Sequence, residues 1–348
     1  MLRHYLNHEN RNLNDYWKRV GDIMDNQQAL RNTELQNKLW MRGEIFRAIR
    51  EYFYQEKVVE VDTPIMSQFG NPDPALLNFI AKYNGPGKLY GHKMFLITSP
   101  EYHMKRLLAE GAGSCYYLGK VFRDGEISRR HNPEFTMLEW YRLDYTLEAL
   151  MEEVTDLIQL ITNKTLPIER YSYLEAFARI LQVNPFEMDL PALINFIKNK
   201  GIDLTFELRD RDEALDLIVS HLIEPAFDPE KITLLYHYPA SQASLSKIVE
   251  VGGYQVGKRF EAYWQGLELA NGYEELTNSQ EQRSRFMAEN DQRELIGYQQ
   301  VPIDELLLKV LDQVPFCSGV ALGVDRLMMA ISQTTEIQEV IPFGFEIS

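Results

Sequence analysis

The chain has only two cysteines, Cys115 and Cys317, and neither lies in a CxxC pair. A disulfide framework and a cysteine-built zinc site therefore have no support, and a reducing, cytoplasmic setting is expected. No apolar run approaches the roughly 18 residues that a membrane helix needs. The opening MLRHYLNHENRNLNDYWKR has no apolar stretch of the signal-peptide kind, so neither a membrane span nor secretion is expected. Positive charge is also scarce: 36 Lys and Arg face 51 Asp and Glu, a net charge of -15. That argues against a broad basic surface for nucleic acid, although a local basic patch is compatible with it. Internal repeats and low-complexity segments are missing too. GSCYYLGK from Gly113 has one residue too many between its glycines for a P-loop, and Val121 where Ser or Thr belongs. The GAG at Gly111 lacks the third glycine of a dinucleotide fingerprint.

What is present is an ordinary globular composition, 45% hydrophobic and 25% charged over 348 residues. Leu13, Tyr16, Trp17, Val20, Ile23 and Met24 recur at helical spacing, as do Leu35, Leu39, Phe46, Ile49 and Phe53. VVEVDTP from Val58 reads as a strand ended by Pro64. Residues 71–91 read as a loop, and Met94 to Thr98 as a strand. SPEYHMKRLLAEG reads as a helix with Pro at its start and Gly after its end. Strands are expected from Cys115 and from Pro133, and a helix from Leu147 to Thr162. Residues 171–239 carry a mixed pattern, expected to be an insertion of helices. A strand, turn and strand follow from Arg259, then a charged helix from Gln280 to Tyr298, then a Gly-rich strand and helix from Ser318.

Three segments carry chemistry. VFRDGEISRRHNPEFTMLEWY, from Val121 to Tyr141, reads as a hairpin with Arg123, Arg129, Arg130 and His131 in its loop. Arginine suits phosphate through its planar fork of donors, and Phe135 could stack on a flat base. Glu139 and Tyr141 alternate with Trp140 and so share a face. On charge content alone, a solvated charged hairpin is the simpler reading. In RFEAYWQGLELANGYEEL, Gln265-Gly266 reads as a two-residue hairpin turn. In that register Tyr263 opposes Glu268, and Glu261 shares a face with Glu268. Two such carboxylates repel unless a cation joins them, and Mg²⁺ favours carboxylate with phosphate oxygens; two exposed glutamates remain the bland alternative. In GVALGVDR, from Gly319 to Arg326, Gly323 could let the backbone approach a ligand closely.

In this order the segments resemble motifs 2 and 3 of class II aminoacyl-tRNA synthetases, in the form of the lysyl branch; VVEVDTP resembles motif 1, the dimer element. The resemblance runs from about Gln36 to the C-terminus. It implies an α+β catalytic domain with an antiparallel β-sheet flanked by helices, over residues 34–348; residues 1–33, by their own apolar spacing, read as a helical extension ahead of it. It also implies a homodimer that uses ATP and Mg²⁺. Arg123 would hold the α-phosphate and the substrate carboxylate, and Arg326 the γ-phosphate. Asp124, Gly125, His131, Asn132, Phe135, Glu268, Leu269 and Gly323 would complete the ATP site, and Glu261 and Glu268 would bind metal. Ser99, Pro100, Glu101, Glu139, Tyr141, Asn271, Glu275 and Ala321 would surround the amino acid. The usual Arg-x-Glu of motif 2 is here Arg-Asp-Gly-Glu, with Glu126 one place late.

Some 35 residues before the core do not accommodate the anticodon-reading OB-fold of a lysyl-tRNA synthetase. HYPASQASL from His237, and Ala321 where synthetases usually have Gly, resemble instead the elongation factor P β-lysine ligases. Those enzymes activate (R)-β-lysine and join it to a lysine side chain of elongation factor P, so that factor and lysine or β-lysine are the expected partners, and stable tRNA binding is not expected. A truncated synthetase that charges tRNA and a non-catalytic regulatory paralogue are the alternatives.

Overall fold

The computed structural model of the chain describes residues 33–205 and 207–348. The helix expected over Leu13 to Met24 lies outside the described residues. The first described helix, α1, is Thr33–Gln55. It buries Ile45, Ile49 and Phe53 and leaves Leu35, Leu39, Trp40 and Tyr54 exposed. Then comes β1 (Val59–Glu60), much shorter than the β-branched run suggests. Three short strands form a small separate sheet: β2 (Met66–Ser67), β3 (Ile80–Lys82) and β4 (Lys93–Leu96), in the order β2-β4-β3. Thus β3 lies inside the segment expected to be all loop.

Helix α2 (Glu101–Ala109) begins after Pro100 and leads into β5 (Cys115–Phe122) and β6 (Glu134–Leu143). Helix α3 spans Leu147–Thr162, as its apolar spacing predicts; Thr146 caps its first turn by accepting from Ala149 N. Strands β7 (Ile168–Ser172) and β8 (Ile232–Pro239) enclose an insertion with α4 (Leu190–Asn199) and α5 (Arg211–Ile218). This insertion has its own core of Tyr173, Phe177, Leu193, Ile197, Leu215 and Ile218. It is narrower than residues 171–239, because β8 returns to the main sheet. The longer elements that remain are β9 (Ile248–Val251), β10 (Tyr254–Trp264), β11 (Leu267–Glu274), α6 (Ser279–Leu295), β12 (Cys317–Gly323) and α7 (Val324–Ser332).

The main sheet runs β1-β5-β6-β12-β11-β10-β8-β7, with β9 also on β10. Pairing is antiparallel except at β1 with β5 and β7 with β8. The period of two sorts side chains cleanly. Tyr116, Leu138, Trp140, Val320, Leu322, Phe260 and Ala262 face α1, α3 and α7 and make the largest core. The Trp140 indole donates to Glu153 on α3 at 2.9 Å, so this buried N–H is satisfied. The opposite face carries the polar residues of the motifs.

One irregularity shapes that face. Gln265 and Gly266 both have positive φ, 54° and 69°, as a tight two-residue hairpin demands. Tyr263 opposes Glu268, but Ala262 opposes Ala270 and Glu261 opposes Asn271. Leu269 is therefore an extra residue on β11, a bulge. Both Leu269 and Ala270 point into the large core.

Candidate functional site

Pairing registers place the functional residues in rows across the sheet. One row reads Tyr117, Glu139, Ala321, Asn271, Glu261 over five strands. The next reads Cys115, Tyr141, Gly319, Tyr273, Arg259. Residues nearly 200 positions apart are thereby held side by side.

At one end of this face lies a cavity lined by Arg123, Glu126, His131, Phe135, Glu268, Asn271, Ala321, Gly323 and Arg326, among others. Arg326 stands in the first turn of α7. Its register is set by the preceding residue: the buried Asp325 accepts from Thr136 N at 2.6 Å and from Arg42 of α1. Arg326 Nη1 donates to Glu268 Oε2 at 3.1 Å, and Nη2 lies 2.6 Å from His131 Nε2. Burial, then the Arg326 charge, holds His131 below its ordinary value. The neutral ring can accept from Arg326 at Nε2 while Nδ1 meets Ser128 Oγ at 2.7 Å. The Arg123 guanidinium lies 5.2 Å from the Phe135 ring centre, and its Nε is buried without a hydrogen-bond partner. Such a pair of arginines with an aromatic face suits an anion joined to a flat ring.

Asp124 and Gly125 do not line this cavity. Asp124 N donates to Leu77 O, and Gly125 has φ +77°. The left-handed glycine absorbs the extra residue of Arg-Asp-Gly-Glu and returns Glu126 to within 3.6 Å of Arg123. Asn132 lines the cavity, but its amide is committed: Oδ1 accepts from Phe345 N at 2.9 Å and Nδ2 donates to Glu134 O at 2.6 Å. Leu269 turns its side chain into the core and offers only backbone. Arg129 points to the C-terminal segment, where it pairs with Glu336. A Cβ on Gly323 would meet only Arg326, at ordinary contact distance.

Glu261 does share the site face with Glu268, but protein groups already satisfy it. Arg259 donates to its Oε1 at 2.5 Å, and the hydroxyls of Tyr238 and Tyr263 donate to Oε2. Among the described residues no group of three or more His, Cys, Asp or Glu is arranged to hold a metal. The donor set still fits a hard cation that completes its shell with phosphate oxygens, since Glu268 borders the cavity with one oxygen on Arg326.

At the other end the face is acidic. Ser99 Oγ donates to Glu139 Oε2 at 2.6 Å, and the Tyr141 hydroxyl donates to Oε1 at 2.9 Å. Ser99 Oγ also accepts from Glu101 N at 3.0 Å, fixing the entry of α2, where Pro100 is the capping residue. Burial, then the Glu101 charge, pushes Glu139 up to about 8. Burial pushes Glu275 up to about 7, against the pull of Lys105. The Lys105 ammonium lies 2.6 Å from both Glu101 Oε1 and Glu275 Oε2. Glu275 Oε1 and Asn271 Oδ1 are buried with no hydrogen-bond donor. Buried orphan acceptors are uncommon and cost free energy unless a ligand satisfies them. Sequence reading does not single out Lys105 or Asp325, although the Glu101–Lys105 spacing of four on a helix was a usable signal.

A sheet of this order, with an arginine-lined cavity beside an acidic pocket, has the make-up of a ligase of the class II synthetase type. Residues 24–346 match the tRNA synthetases class II (D, K and N), and the chain belongs to that family. It is an ATP-dependent amino-acid ligase. It is 44% identical over 310 residues to the elongation factor P–(R)-β-lysine ligase of Pectobacterium atrosepticum, covering 88% of this chain and 95% of that one. The proteins of the same name from Photorhabdus laumondii and Erwinia tasmaniensis are 44% and 45% identical, covering 88% of this chain and 94% of each.

Proposed function

We propose that the enzyme activates (R)-β-lysine, in preference to α-lysine, as an aminoacyl-adenylate and transfers it to a lysine side chain of elongation factor P. The observation that carries this reading is the Glu101, Glu139 and Glu275 pocket with an orphan carboxylate oxygen, set directly beside the arginine-lined cavity. The name shared by the relatives supports the acceptor.

In the first step a carboxylate oxygen of the amino acid attacks the α-phosphorus of ATP, and the bond to the β-phosphate oxygen breaks. Arg123 offsets charge at the α-phosphate, and Arg326 holds the departing pyrophosphate. Asn271 faces the carboxylate, and Glu101, Glu139 and Glu275 face the ammonium groups. Glu268, with Glu261 beside it, would hold a Mg²⁺ ion, which would supply further charge neutralisation at the phosphates. In the second step a neutral lysine amine of the acceptor attacks the acyl carbonyl, AMP leaves, and the amine loses a proton to give an amide.

Homodimer formation is part of the same reading, supported by the exposed Leu35, Leu39 and Trp40 of α1 and Val59 of the edge strand β1. The test of function is the intact mass of elongation factor P after incubation with enzyme, ATP and each lysine isomer. Gain of one β-lysyl group at one lysine is expected. Loading of tRNA with no modified factor would overturn the proposal in favour of a synthetase.

A further inference from the structure

Lys105 is a buried cation with no part in the chemistry described so far. It sits one turn beyond Glu101 on α2, is 1% exposed, and bridges Glu101 to Glu275 with two 2.6 Å contacts. A buried ammonium persists only when paired, and removing its partner or itself leaves an uncompensated charge. Here the pairing is incomplete on the carboxylate side. Glu139 receives only hydroxyl donors, and Glu275 Oε1 receives none. Ammonium groups brought into the pocket favour the ionised forms of Glu139 and Glu275, and with all three carboxylates ionised, three negative charges against one ammonium leave two. An amino acid with two ammonium groups closes that gap.

We propose that Lys105 is a positioning residue that serves as a resident third ammonium: it holds Glu101 and Glu275 in place and leaves the pocket two charges short of neutrality, thereby selecting a substrate with two ammonium groups. The inference rests on the lysine-isomer activation proposed above and adds a residue that sets its specificity. A substrate with one ammonium would strand a buried carboxylate, which is costly.

Other charged and titratable groups face this cluster. Lys247, between β8 and β9, pulls on Glu275; Tyr141 from β6 and Cys317 from β12 lie in the field of Glu275. Tyr273 from β11 faces Glu101, as does Glu289 from α6, which also feels Asp73. Burial pushes Glu289 up to about 8, and the Arg285 charge pulls it back. Of the groups that hold Glu275 down, Lys105 is the strongest.

The experiment is ATP–pyrophosphate exchange from pH 6 to 9 on wild type and Lys105→Met, with KM measured for (R)-β-lysine, α-lysine and ATP. Without Lys105, Glu275 takes up a proton more readily. Each unit of upward shift weakens its ionised form about tenfold at lower pH. For a shift of about one unit, KM for the preferred lysine isomer is therefore expected to rise roughly fivefold at pH 7 and nearly tenfold at pH 6, and to converge on the wild-type value toward pH 9, with kcat and the KM for ATP little changed. A KM that is unchanged, or raised by one factor at every pH, overturns the proposal. Lys105→Met with Glu101→Gln removes one charge of each sign and keeps the test open if the single variant does not fold. It is expected to bind more weakly but with the wild-type pH dependence; an alkaline-shifted profile there also overturns the proposal. Wild type that exchanges with no lysine isomer would instead sink the activation reading itself.

Discussion

Gly319→Ala adds one methyl group at the centre of the acidic pocket. The backbone accepts it, since Gly319 does not have positive φ. The side chains do not. A Cβ there would lie 2.4 Å from Tyr141 Cε1, 2.5 Å from Cδ1 and 2.6 Å from Glu275 Oε1. Ordinary carbon contacts are about 3.5–4.0 Å, so the ring must retreat by roughly 1 Å. Tyr141 is buried, and its hydroxyl donates to Glu139, so the displacement is passed on to that carboxylate. Overpacking of this kind costs about 1–3 kcal/mol of stability. Misplacement of binding groups by about 1 Å costs on the order of a hundredfold in activity. The variant should therefore remain folded, melt a few degrees lower, and lose about a hundredfold in kcat/KM for the amino acid, while its KM for ATP stays near wild type. Melting curves and exchange kinetics measure both effects. Kinetics within about twofold of wild type would show that Tyr141 and Glu275 do not hold the substrate.

Arg326→Ala removes a charge-assisted phosphate contact worth about 2–5 kcal/mol, so exchange should fall roughly tenfold to a thousandfold; near-normal exchange refutes its assignment. Ala321 stands between Glu139 and Asn271 in one row. Ala321→Gly should therefore shift preference toward α-lysine by about 10- to 200-fold in relative kcat/KM, and an unchanged ratio would reduce it to packing. Burial pushes Glu139 up to about 8 and Glu275 up to about 7, against an ordinary value of 4.5. Between about 4.5 and 8 the folded state holds more protons than the unfolded chain, so stability falls as pH rises. The ligand-free protein should melt higher at pH 6 than at pH 8.5, and Glu139→Gln should shrink that difference; an identical difference in both proteins refutes it.

Local patterns made much of this molecule legible. The apolar spacing of α3 gave both its ends, and alternation put Glu139 and Tyr141 opposite Trp140. The Gln265-Gly266 turn set the pairing of Tyr263 with Glu268. Features that depend on distant partners were not legible. The Asn132 amide is consumed by Phe345, 213 positions away, and Arg129 by Glu336. Asp325 gains its role from Thr136 and Arg42. Lys105 reads as one more helical lysine until β11 brings Glu275 against it. β3 is too short, at three residues, to stand out from the Gly- and Pro-rich segment around it.

The bulge at Leu269 has a geometric consequence for the enzyme as a machine. A regular strand shows every second residue to one side, so Glu268 and Asn271, three apart, would look in opposite directions. The extra residue shifts the phase of β11 by one and lets a single strand put Glu268 and Asn271 on the same face. Upstream of it Glu268 meets Arg326; downstream Asn271 shares a row with Ala321 and Glu139. The orientation of these two residues is set by the count of residues between them rather than by side-chain identity. What they cannot tolerate is a change in count. Removing one residue at this point would restore the regular alternation and turn one half of the site into the apolar core, however well every remaining side chain was chosen.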